Sequence, residues 1–211
     1  MDVVILCGGQ GTRIRHLLPE GFPKVIADIN GIPFIVILMD HLFRYGSNRL
    51  ILATGYGHEV LYLYFMPMLP LSRIEFSMET KPLGTAGAIR KAASLINTKN
   101  FLILNGDTFC DVDYKAMLAY HEMTNSIITV ACDAQFQHVG TFIASRRFID
   151  FIPPDCKIDM AEVFTLLGQK HEPVGWFMTG APFYDIGSLE GLETFRTYWT
   201  SKGEKDVRQS L

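Results

Sequence analysis

The sequence predicts an α/β fold, in which helices cover both faces of a mainly parallel, mixed sheet. Short apolar runs rich in Val, Ile and Leu alternate along the chain with amphipathic helical patterns. Strands that are apolar throughout are typical of a parallel sheet buried between two layers of helices. Several of these runs end in a glycine turn, and ligands of such sheets bind outside the carboxyl ends of the strands. The turns are therefore expected to line one cleft.

The elements of the first two thirds follow from this alternation. Each apolar run is short and bounded by turn residues, which favours a strand, and the segments between them repeat apolar residues at helical spacing. Thr85 and Asp113 stand near the starts of two of these helices and are expected to cap their free N–H groups. The predicted strands are Val3–Cys7, Arg49–Thr54, Arg73–Ser77, Phe101–Leu104 and Ile127–Cys132. The predicted helices lie near Ile35–Arg44, His58–Phe65, Thr85–Leu95 and Tyr114–His121.

The last third has a different organisation. Pro153 and Pro154 interrupt the chain between two short helical patterns, because proline lacks the N–H group that a helix interior uses. The charged tail after Ser201 is expected to fray. Strands are predicted at Gly140–Ala144 and Pro173–Met178, and helices at Arg146–Phe151, Asp159–Gly168 and Gly191–Trp199.

Composition excludes several classes of protein. The 211 residues carry a formal net charge of -3, which argues against a nucleic-acid scaffold with a basic face. No apolar run has the length of a membrane span, and the acidic start is unlike a signal peptide, so a cytoplasmic protein is expected. The cysteines are scattered, which favours buried free thiols in a reducing compartment. They are Cys7, Cys110, Cys132 and Cys156.

The turn after the first strand is the most informative motif. Glycines let backbone N–H groups approach an anion closely, and basic side chains add positive charge. The motif is therefore predicted to hold the phosphates of a nucleotide, with a plain glycine-rich turn as the alternative. It starts after Leu6 with Gly8, Gly9, Gln10, Gly11 and Thr12, and Arg13 and Lys24 follow.

Two better-known glycine motifs do not fit this loop. No Gly-Lys-Ser/Thr triplet follows at the spacing that a P-loop requires. Ile14 stands where the dinucleotide fingerprint has its third glycine or alanine. A different way of binding a nucleoside triphosphate is indicated.

Two aspartates are candidates for a metal site. Asp107 follows a buried strand and the pair Asn105-Gly106, and Asp185 lies between an aromatic pair and a glycine turn. A Mg²⁺ ion on a triphosphate takes one or two protein carboxylates, with phosphate and water oxygens completing its shell. A turn or capping role is the alternative for each aspartate. The sequence assigns no role to Asp111.

The segment from Glu79 to Gly84 is expected to receive the base. Pro82 stiffens this loop, and Gly84 permits the close approach of a flat ring. The carboxylate of Glu79 can accept hydrogen bonds from both the N1–H and the 2-amino group of guanine. A solvated loop glutamate is the alternative.

Together these motifs resemble those of the sugar-phosphate nucleotidyltransferases, the family that makes nucleotide sugars. Its hallmark, Gly-Gly-x-Gly-Thr-Arg with a downstream Pro-Lys, is matched by Gly8–Arg13 and Pro23-Lys24. The base loop, Asp107 and Asp185 look like its base-binding segment and its two metal aspartates. The resemblance implies a Rossmann-like, glycosyltransferase-A-like fold. It also implies a single domain, with a nucleotide-binding part at 1–132 and a sugar-binding part and closing helix at 139–200.

The resemblance further implies an enzyme that transfers a nucleoside monophosphate from a nucleoside triphosphate to a sugar 1-phosphate. Mg²⁺ would be its cofactor, and Arg13 and Lys24 would act on the phosphates. Gly140 would lie on the sugar side. Nucleotide-binding residues would be Leu6, Gly8, Gly9, Gly11, Thr12, Glu79, Pro82, Gly84, Asn105 and Gly106.

Within the family, the Leu-Cys-Gly-Gly start and the Pro-Leu-Gly-Thr-Ala-Gly segment look most like guanylyltransferases. Those acting on mannose 1-phosphate or D-glycero-α-D-manno-heptose 1-phosphate are the nearest, and the short chain favours the bacterial heptose type. Such an enzyme is expected in the cytoplasm, in nucleotide-sugar synthesis for capsule or lipopolysaccharide. A homodimer is compatible with this expectation, whereas neither nucleic acid nor a membrane is an expected partner.

Two departures from the family pattern stand out. Val25 follows Lys24 where the family usually has another proline. The link from Asp133 to Val139 is short and lacks the Glu-Lys pair whose lysine holds the sugar phosphate in the family. A loop omitted from the sequence is favoured over a reduced sugar site.

Several alternatives stay open. The chain could be a cytidylyl-, uridylyl- or thymidylyltransferase acting on another sugar phosphate, or a non-catalytic sensor of a nucleotide sugar. A glycosyltransferase that binds metal through Asp111-Val112-Asp113 is a third alternative. His138, Asp159 and Glu162 are candidates for the neighbourhood of the sugar, with core or surface roles favoured for each.

Overall fold

The computed structural model describes residues 1–47, 49–67 and 73–202. Most of the charged tail that was predicted to fray, residues 203–211, lies outside this range. Six α-helices are described: α1 (Phe34–Arg44), α2 (His58–Phe65), α3 (Gly84–Ala92), α4 (Tyr114–Met123), α5 (Met160–Gln169) and α6 (Leu189–Ser201). Short 3₁₀ helices occur at Arg15–Leu17, Lys24–Ile26, Ala93–Leu95 and Arg146–Phe151.

The strands alternate with these helices. In chain order they are β1 (Asp2–Leu6), β2 (Asp28–Ile29), β3 (Ile32–Pro33), β4 (Arg49–Thr54), β5 (Ile74–Met78), β6 (Asn100–Asn105), β7 (Thr108–Cys110), β8 (Ile128–Cys132), β9 (His138–Ser145), β10 (Val174–Met178) and β11 (Phe183–Asp185).

Seven strands form one mixed sheet in the order β10-β8-β9-β6-β1-β4-β5. β1 pairs in parallel with β4 and β6, β4 with β5, and β8 with β10. β9 runs antiparallel to both of its neighbours, β6 and β8. The mainly parallel, mixed sheet with helices on both faces is thus confirmed. The carboxyl ends of β1, β4 and β6 lie side by side, which brings the turns that follow them to one edge.

Each face of the sheet carries its own hydrophobic core because successive strand residues point to opposite sides. On one face Val3 and Ile5 of β1 pack with α1, α2 and α6, and on the other Val4 packs with α3 and α5. These strand residues are fully buried. The apolar runs therefore have the composition that a sheet covered on both sides requires.

Two small ribbons complete the fold. β7 pairs with β11 in antiparallel register, with Thr108 opposite Asp185, and β2 pairs with β3. Neither ribbon was predicted, because strands of two or three residues have no measurable periodicity. The β7–β11 ribbon matters for function, since it joins the segment after β6 to the distant segment before α6.

Most predicted elements are present, with ends shifted by one or two residues, and Arg49–Thr54 and His58–Phe65 have the predicted bounds. Asp113 caps α4 as predicted, accepting from the N–H groups of Lys115 and Ala116. The capping prediction for Thr85 is wrong, because α3 begins one residue earlier, at Gly84. No helix among the described residues is long and apolar enough to cross a bilayer.

Candidate active site

Lys24 reaches the carboxyl edge of the sheet beneath the glycine loop. A Cβ atom added to Gly11, whose φ is +59°, would lie 2.8 Å from Cβ of Lys24, and one on Gly9 would lie 3.5 Å from its Cε. The loop therefore needs glycine where it crosses the lysine stem. Lys24 Nζ forms an ion pair with Asp107, and both side chains are largely buried.

Arg13 and Asp185 form a second ion pair beside the first. Arg13 Nη2 lies 3.5 Å from Asp185 Oδ2, and both side chains are substantially exposed. The β7–β11 ribbon holds this arrangement, because Ile186 donates its N–H to the carbonyl of Asp107 at 2.9 Å. Residues from the two ends of the chain thus meet at one place.

Gly187 marks the point where the two carboxylates converge. A Cβ atom at Gly187 would lie 2.8 Å from Asp185 Oδ1, 3.4 Å from Asp107 Oδ2 and 2.7 Å from Arg13 Nη2. A side chain here would occupy the space that the two aspartates and the arginine face. Two hard oxygen donors around a small space fit a Mg²⁺ ion that takes its other ligands from phosphate and water. The described residues contain no group of three or more metal-ligating side chains, so any metal here depends on such outside ligands.

A cleft of about 530 Å³ opens next to the glycine loop. It lies between the ends of β1 and β4 on one side and the start of α3 on the other. Its volume and its mixed polar and apolar lining suit a planar base with an attached ribose. Its lining includes Leu6, Gly8, Gly9, Gln10, Gly55, Tyr56, Glu79, Lys81, Pro82, Gly84, Thr85, Lys157 and Asp159.

Glu79 is fixed in this cleft by glycines and by one backbone bond. Cβ atoms on Gly55 and Gly8 would lie 2.6 and 3.1 Å from its Oε1, and Leu83 donates its N–H to its Oε2 at 3.2 Å. Burial raises the pKa of Glu79, and the bond from Leu83 lowers it by less. Its Oε1 has no protein donor among the described residues and lies beside the cleft, so the carboxylate has capacity to accept from a ligand.

The start of α3 is capped by the chain just before α5. The carbonyl of Ile158 accepts from the N–H groups of Ala86 and Gly87 at 3.1 Å, and Asp159 Oδ1 accepts from Thr85 N–H at 3.0 Å. The first N–H groups of a helix otherwise lack partners. The cap that was assigned to Thr85 thus comes from residues more than seventy positions later in the chain.

Close packing against this later segment explains the glycine at position 84. Gly84 has φ +72°, and a Cβ atom there would lie 2.5 Å from the carbonyl oxygen of Ile158. A side chain at position 84 would therefore strain the backbone and collide with Ile158. This tight contact places Lys157, the residue before Ile158, at the wall of the cleft.

The residues that were predicted to bind the nucleotide divide into three groups. Leu6, Gly8, Gly9, Glu79, Pro82 and Gly84 line the cleft itself. Gly11 and Gly106 act on the supporting chain: Gly11 gives room to Lys24, and a Cβ atom on Gly106 would lie 2.6 Å from the carbonyl oxygen of Leu6. Thr12 and Asn105 do not line the cleft.

The segment that was predicted to lie on the sugar side consists of β9 and the hairpin that precedes it. Gly140 has φ +69°, and a Cβ atom there would lie 3.1 Å from Asn105 Nδ2, close to the strand end that leads to Asp107. The link after β8 is a closed hairpin, since Asp133 N–H donates to the carbonyl of Gln137 at 3.0 Å. Residues 133–137 of this hairpin include no lysine.

The other candidates on the sugar side have structural partners. Glu162 and Asp159 form a reciprocal capping box at the start of α5, although Asp159 also lines the cleft. His138 is exposed, with its ring 5.9 Å from that of Phe142. Only Asp159 of these candidates therefore faces the cleft.

The alternative metal motif of a glycosyltransferase is wrong for this chain. Asp113 caps α4, and Asp111 Oδ1 accepts a hydrogen bond from the hydroxyl of Tyr45 at 2.8 Å. Neither residue lines the cleft. Cys7 is buried beside the Lys24–Asp107 pair, and burial raises the pKa of its thiol.

Sequence reasoning missed two contributors to the site. Lys157 lines the cleft, and Gly187 lies at the point that Arg13, Asp107 and Asp185 face. Gly187 is two residues from Asp185, which was a usable signal, whereas nothing near Lys157 in the sequence indicates that it reaches the cleft. Tyr56, at the end of a strand that was expected to lead into the cleft, does line it; its hydroxyl accepts from the N–H of Gly21 at 3.2 Å, and the guanidinium of Arg15 lies 4.4 Å from its ring centroid.

Comparison with known proteins identifies relatives of this chain. The model of the nucleotidyl transferase family matches residues 2–141. D-glycero-α-D-manno-heptose 1-phosphate guanylyltransferase of Aneurinibacillus thermoaerophilus is 37% identical over 154 residues, which are 72% of this chain and 66% of that protein. The enzyme of the same name from Campylobacter jejuni is 39% identical over 113 residues, 54% of this chain and 50% of that protein. The chain thus covers less than two thirds of the length of either relative.

A solved structure matches over nearly the full chain. HddC from Yersinia pseudotuberculosis, in complex with GMP-PN, is 29% identical and superposes with a TM-score of 0.79. The match covers 94% of this chain and 99% of that one. The similarity therefore extends past the glycine loop to the last third, where the second aspartate lies.

Proposed function

The chain belongs to the nucleotidyl transferase family, and on that premise we propose that it transfers a nucleoside monophosphate to a sugar 1-phosphate. The observation that carries the proposal is the convergence of two ion pairs, Lys24–Asp107 and Arg13–Asp185, around Gly187. Two cations and two carboxylates at the mouth of a nucleotide-sized cleft can bind a triphosphate and a divalent metal together. A plain glycine turn would have no need of this arrangement.

The proposed reaction is an in-line displacement at the α-phosphorus. A phosphate oxygen of the sugar 1-phosphate forms the new P–O bond, the bond between the α-phosphorus and the bridging oxygen breaks, and pyrophosphate leaves. The nucleophile is already an anion, so no general base is required. Lys24 and Arg13 would orient the phosphates and offset their negative charge, with Arg13 on the leaving pyrophosphate.

Asp107 and Asp185 are the residues that would hold Mg²⁺. A bound Mg²⁺ would supply charge neutralisation on the phosphate oxygens. In the structure the two aspartates pair instead with Lys24 and Arg13. Binding of metal and triphosphate is therefore expected to redirect both cations toward phosphate.

We further propose GTP as the triphosphate and D-glycero-α-D-manno-heptose 1-phosphate or mannose 1-phosphate as the acceptor. The unfilled acceptor capacity of Glu79 supports guanine, and the names of the two bacterial relatives support the heptose substrate. A cytoplasmic location and a role in capsule or lipopolysaccharide synthesis remain predictions of the resemblance, as does a homodimer.

A second candidate is a sensor that binds a nucleotide sugar without catalysis. The closed hairpin at 133–137, which brings no lysine to the sugar side, is the observation that favours it. A sensor would bind GTP yet release no pyrophosphate with any sugar 1-phosphate. The intact Arg13, Lys24, Asp107 and Asp185 set favours the enzyme.

The test is pyrophosphate release from the four nucleoside triphosphates with a panel of sugar 1-phosphates. Asp107→Asn is expected to lower Mg²⁺-dependent turnover by about a hundredfold or more, because one oxygen ligand of the metal loses its charge. Asp113→Asn is the matched control: asparagine caps a helix as well as aspartate does, so turnover should stay at the wild-type level. Near-normal turnover in Asp107→Asn would refute the metal assignment.

A further inference from the structure

Tyr56 contacts the segment that follows β1 at three separate places. This segment, residues 8–23, begins with the glycine loop and is called the 8–23 loop below. The N–H of Tyr56 donates to the carbonyl of Gly8 at 3.4 Å, and its hydroxyl accepts from the N–H of Gly21 at 3.2 Å. Between these two points, the guanidinium carbon of Arg15 lies 4.4 Å from the centroid of the Tyr56 ring. One residue thus contacts the start, the middle and the end of the loop.

The turn that carries Tyr56 packs closely on the same loop. Gly57 has φ +72°, and a Cβ atom there would lie 2.5 Å from Cδ of Pro23 and 2.9 Å from the carbonyl oxygen of Gly21. Pro23 directly precedes Lys24 in the chain. The turn after β4 therefore supports the last part of the loop, where the chain leads to this lysine.

Arg13 needs such support from the loop that carries it. Its side chain is 64% exposed, and its Nη2 lies 3.5 Å from Asp185 Oδ2. An ion pair this exposed contributes little to holding two side chains in place. Ile14 is fully buried and anchors the loop from the inside, whereas Tyr56 contacts the loop at the wall of the cleft. The position of Arg13 therefore depends on how the chain around it is held.

The contacts of the Tyr56 side chain favour support of the loop over direct recognition of a base. Its hydroxyl accepts from Gly21, and one face of its ring is covered by Arg15. A cation above an aromatic face is attracted by the charge distribution of the ring, and the planar guanidinium of arginine is well suited to this contact. The hydroxyl and one ring face are thus both directed at the loop, although Tyr56 borders the cleft.

We propose that Tyr56 is a positioning residue, which holds the 8–23 loop in the shape that directs Arg13 to the β- and γ-phosphates of the triphosphate. This inference rests on the proposed function, in which Arg13 binds the leaving pyrophosphate. A loop that is held before the nucleotide arrives loses less conformational freedom on binding, and a charge that is fixed in place needs no reorganisation during the reaction. Tyr56 therefore acts on the phosphates through the loop and does not touch them.

Two variants separate the contacts of this side chain. Tyr56→Phe keeps the ring beside Arg15 and removes the hydroxyl that accepts from Gly21, whereas Tyr56→Leu removes both contacts. In the ligand-free protein, hydrogen–deuterium exchange within residues 8–23 is expected to become about tenfold faster in Tyr56→Leu. The increase in Tyr56→Phe should be smaller, because the contact with the guanidinium remains. Circular dichroism verifies that both variants fold.

Tyr62→Leu is the matched control for the loss of an aromatic ring. Tyr62 lies on the neighbouring helix α2, is exposed, and packs against His58 and Phe76. Exchange within the 8–23 loop should stay at the wild-type rate in this variant. An unchanged rate in Tyr56→Leu, or an equal increase in Tyr62→Leu, would overturn the proposal. This measurement uses no nucleotide, so it tests Tyr56 independently of the proposed function.

Nucleotide binding tests whether the support extends to Arg13. Isothermal titration calorimetry with Mg²⁺ should show that Tyr56→Leu binds GTP about five- to tenfold more weakly than wild type does. Binding of GMP should be nearly unchanged, because GMP lacks the two phosphates assigned to Arg13. In an Arg13→Gln background, Tyr56→Leu should weaken GTP binding little further, since both changes remove the same interaction.

Two results of the binding experiment would overturn the role of Tyr56. Equal losses for GTP and GMP would mean that Tyr56 contacts the base or the ribose directly. Fully additive losses in the double variant would mean that Tyr56 does not act through Arg13. Failure of the wild-type protein to bind GTP would instead refute the proposed function, and the exchange measurement would then decide by itself whether Tyr56 holds the loop.

Discussion

Glu79 illustrates how function and stability oppose each other at a single residue. Burial raises its pKa above the ordinary value for glutamate, so the native state binds the proton more tightly than the unfolded chain does. The stability that this group contributes is therefore present at low pH and is lost as the pH rises through its native pKa. At pH 7 the charged carboxylate of Glu79 therefore lowers the free energy of unfolding, as is expected of a group that is kept for binding a ligand.

Glu79→Gln separates the two effects. We expect GTP binding to weaken about tenfold and binding of UTP and CTP to change much less, while the melting temperature at pH 7 stays the same or rises. In wild type, GTP affinity should fall as the pH drops through the raised pKa of Glu79, and the variant should lack this dependence. Isothermal titration calorimetry measures the nucleotide affinities, and thermal melts measure the melting temperature. Equal losses of affinity for all three nucleotides would contradict the recognition of guanine by Glu79.

The prediction for Lys157 rests on its position in the tertiary structure. It lines the cleft opposite the glycine loop, where an ammonium group can donate to acceptor atoms of the nucleotide. Lys157→Gln is expected to raise KM for GTP about five- to tenfold with little change in kcat. Lys115→Gln, on the exposed face of α4, is the control and should change neither constant. A fall in kcat without a change in KM would contradict a binding role.

At the scale of elements, the start of α3 and the segment before α5 form one unit. Gly84→Ala should lower the free energy of unfolding by roughly 2–4 kcal/mol, because alanine is strained at φ +72° and its Cβ would lie 2.5 Å from the carbonyl oxygen of Ile158. Urea denaturation measures the loss. Gly168→Ala is the matched control: a Cβ atom there meets nothing within 4 Å, and alanine in α5 should stabilise by about 0.5–1 kcal/mol. An unchanged free energy of unfolding in Gly84→Ala would contradict the close contact between position 84 and the carbonyl of Ile158.

Element prediction succeeded where burial and periodicity agreed. Val3, Ile5 and their neighbours in β1 are apolar on both faces, so the strand is recognisable without its partners. β7 and β11 were missed because each is three residues long and is a strand only through pairing with the other. The capping of α3 was misassigned to Thr85 because the true partners, Ile158 and Asp159, are distant in the sequence.

At the scale of the whole molecule, the division into a nucleotide part and a sugar part does not divide the core. Phe195 of α6, late in the chain, packs 5.1 Å from Phe34 and 5.2 Å from Phe109 between ring centroids. All seven strands of the main sheet are hydrogen-bonded in one series. One hydrophobic layer therefore contains residues of both parts, which favours a single domain.

This arrangement predicts one cooperative unfolding transition. Tryptophan fluorescence reports on the later part of the chain, which contains Trp176 and Trp199, and far-UV circular dichroism reports mainly on the earlier part, which contains most of the helices. If the two parts unfold together, both probes should give the same urea midpoint. Phe195→Ala should lower both midpoints together, by a loss of about 3–5 kcal/mol. Two separate midpoints would mean that the parts unfold as independent domains.

The sequence by itself determined the fold class and the family, and it singled out the glycine loop and the two aspartates that the structure brings together. These features are local: a run of residues and its following turn carry their own physical signature, whether burial, glycine freedom or charge. Only the tertiary structure decided that Asp107 and Asp185 meet around Gly187 and that Lys157 lines the same cleft as Glu79. Each of these depends on contacts between residues that are far apart in the chain. Periodicity and spacing in the sequence do not predict which of these side chains become neighbours.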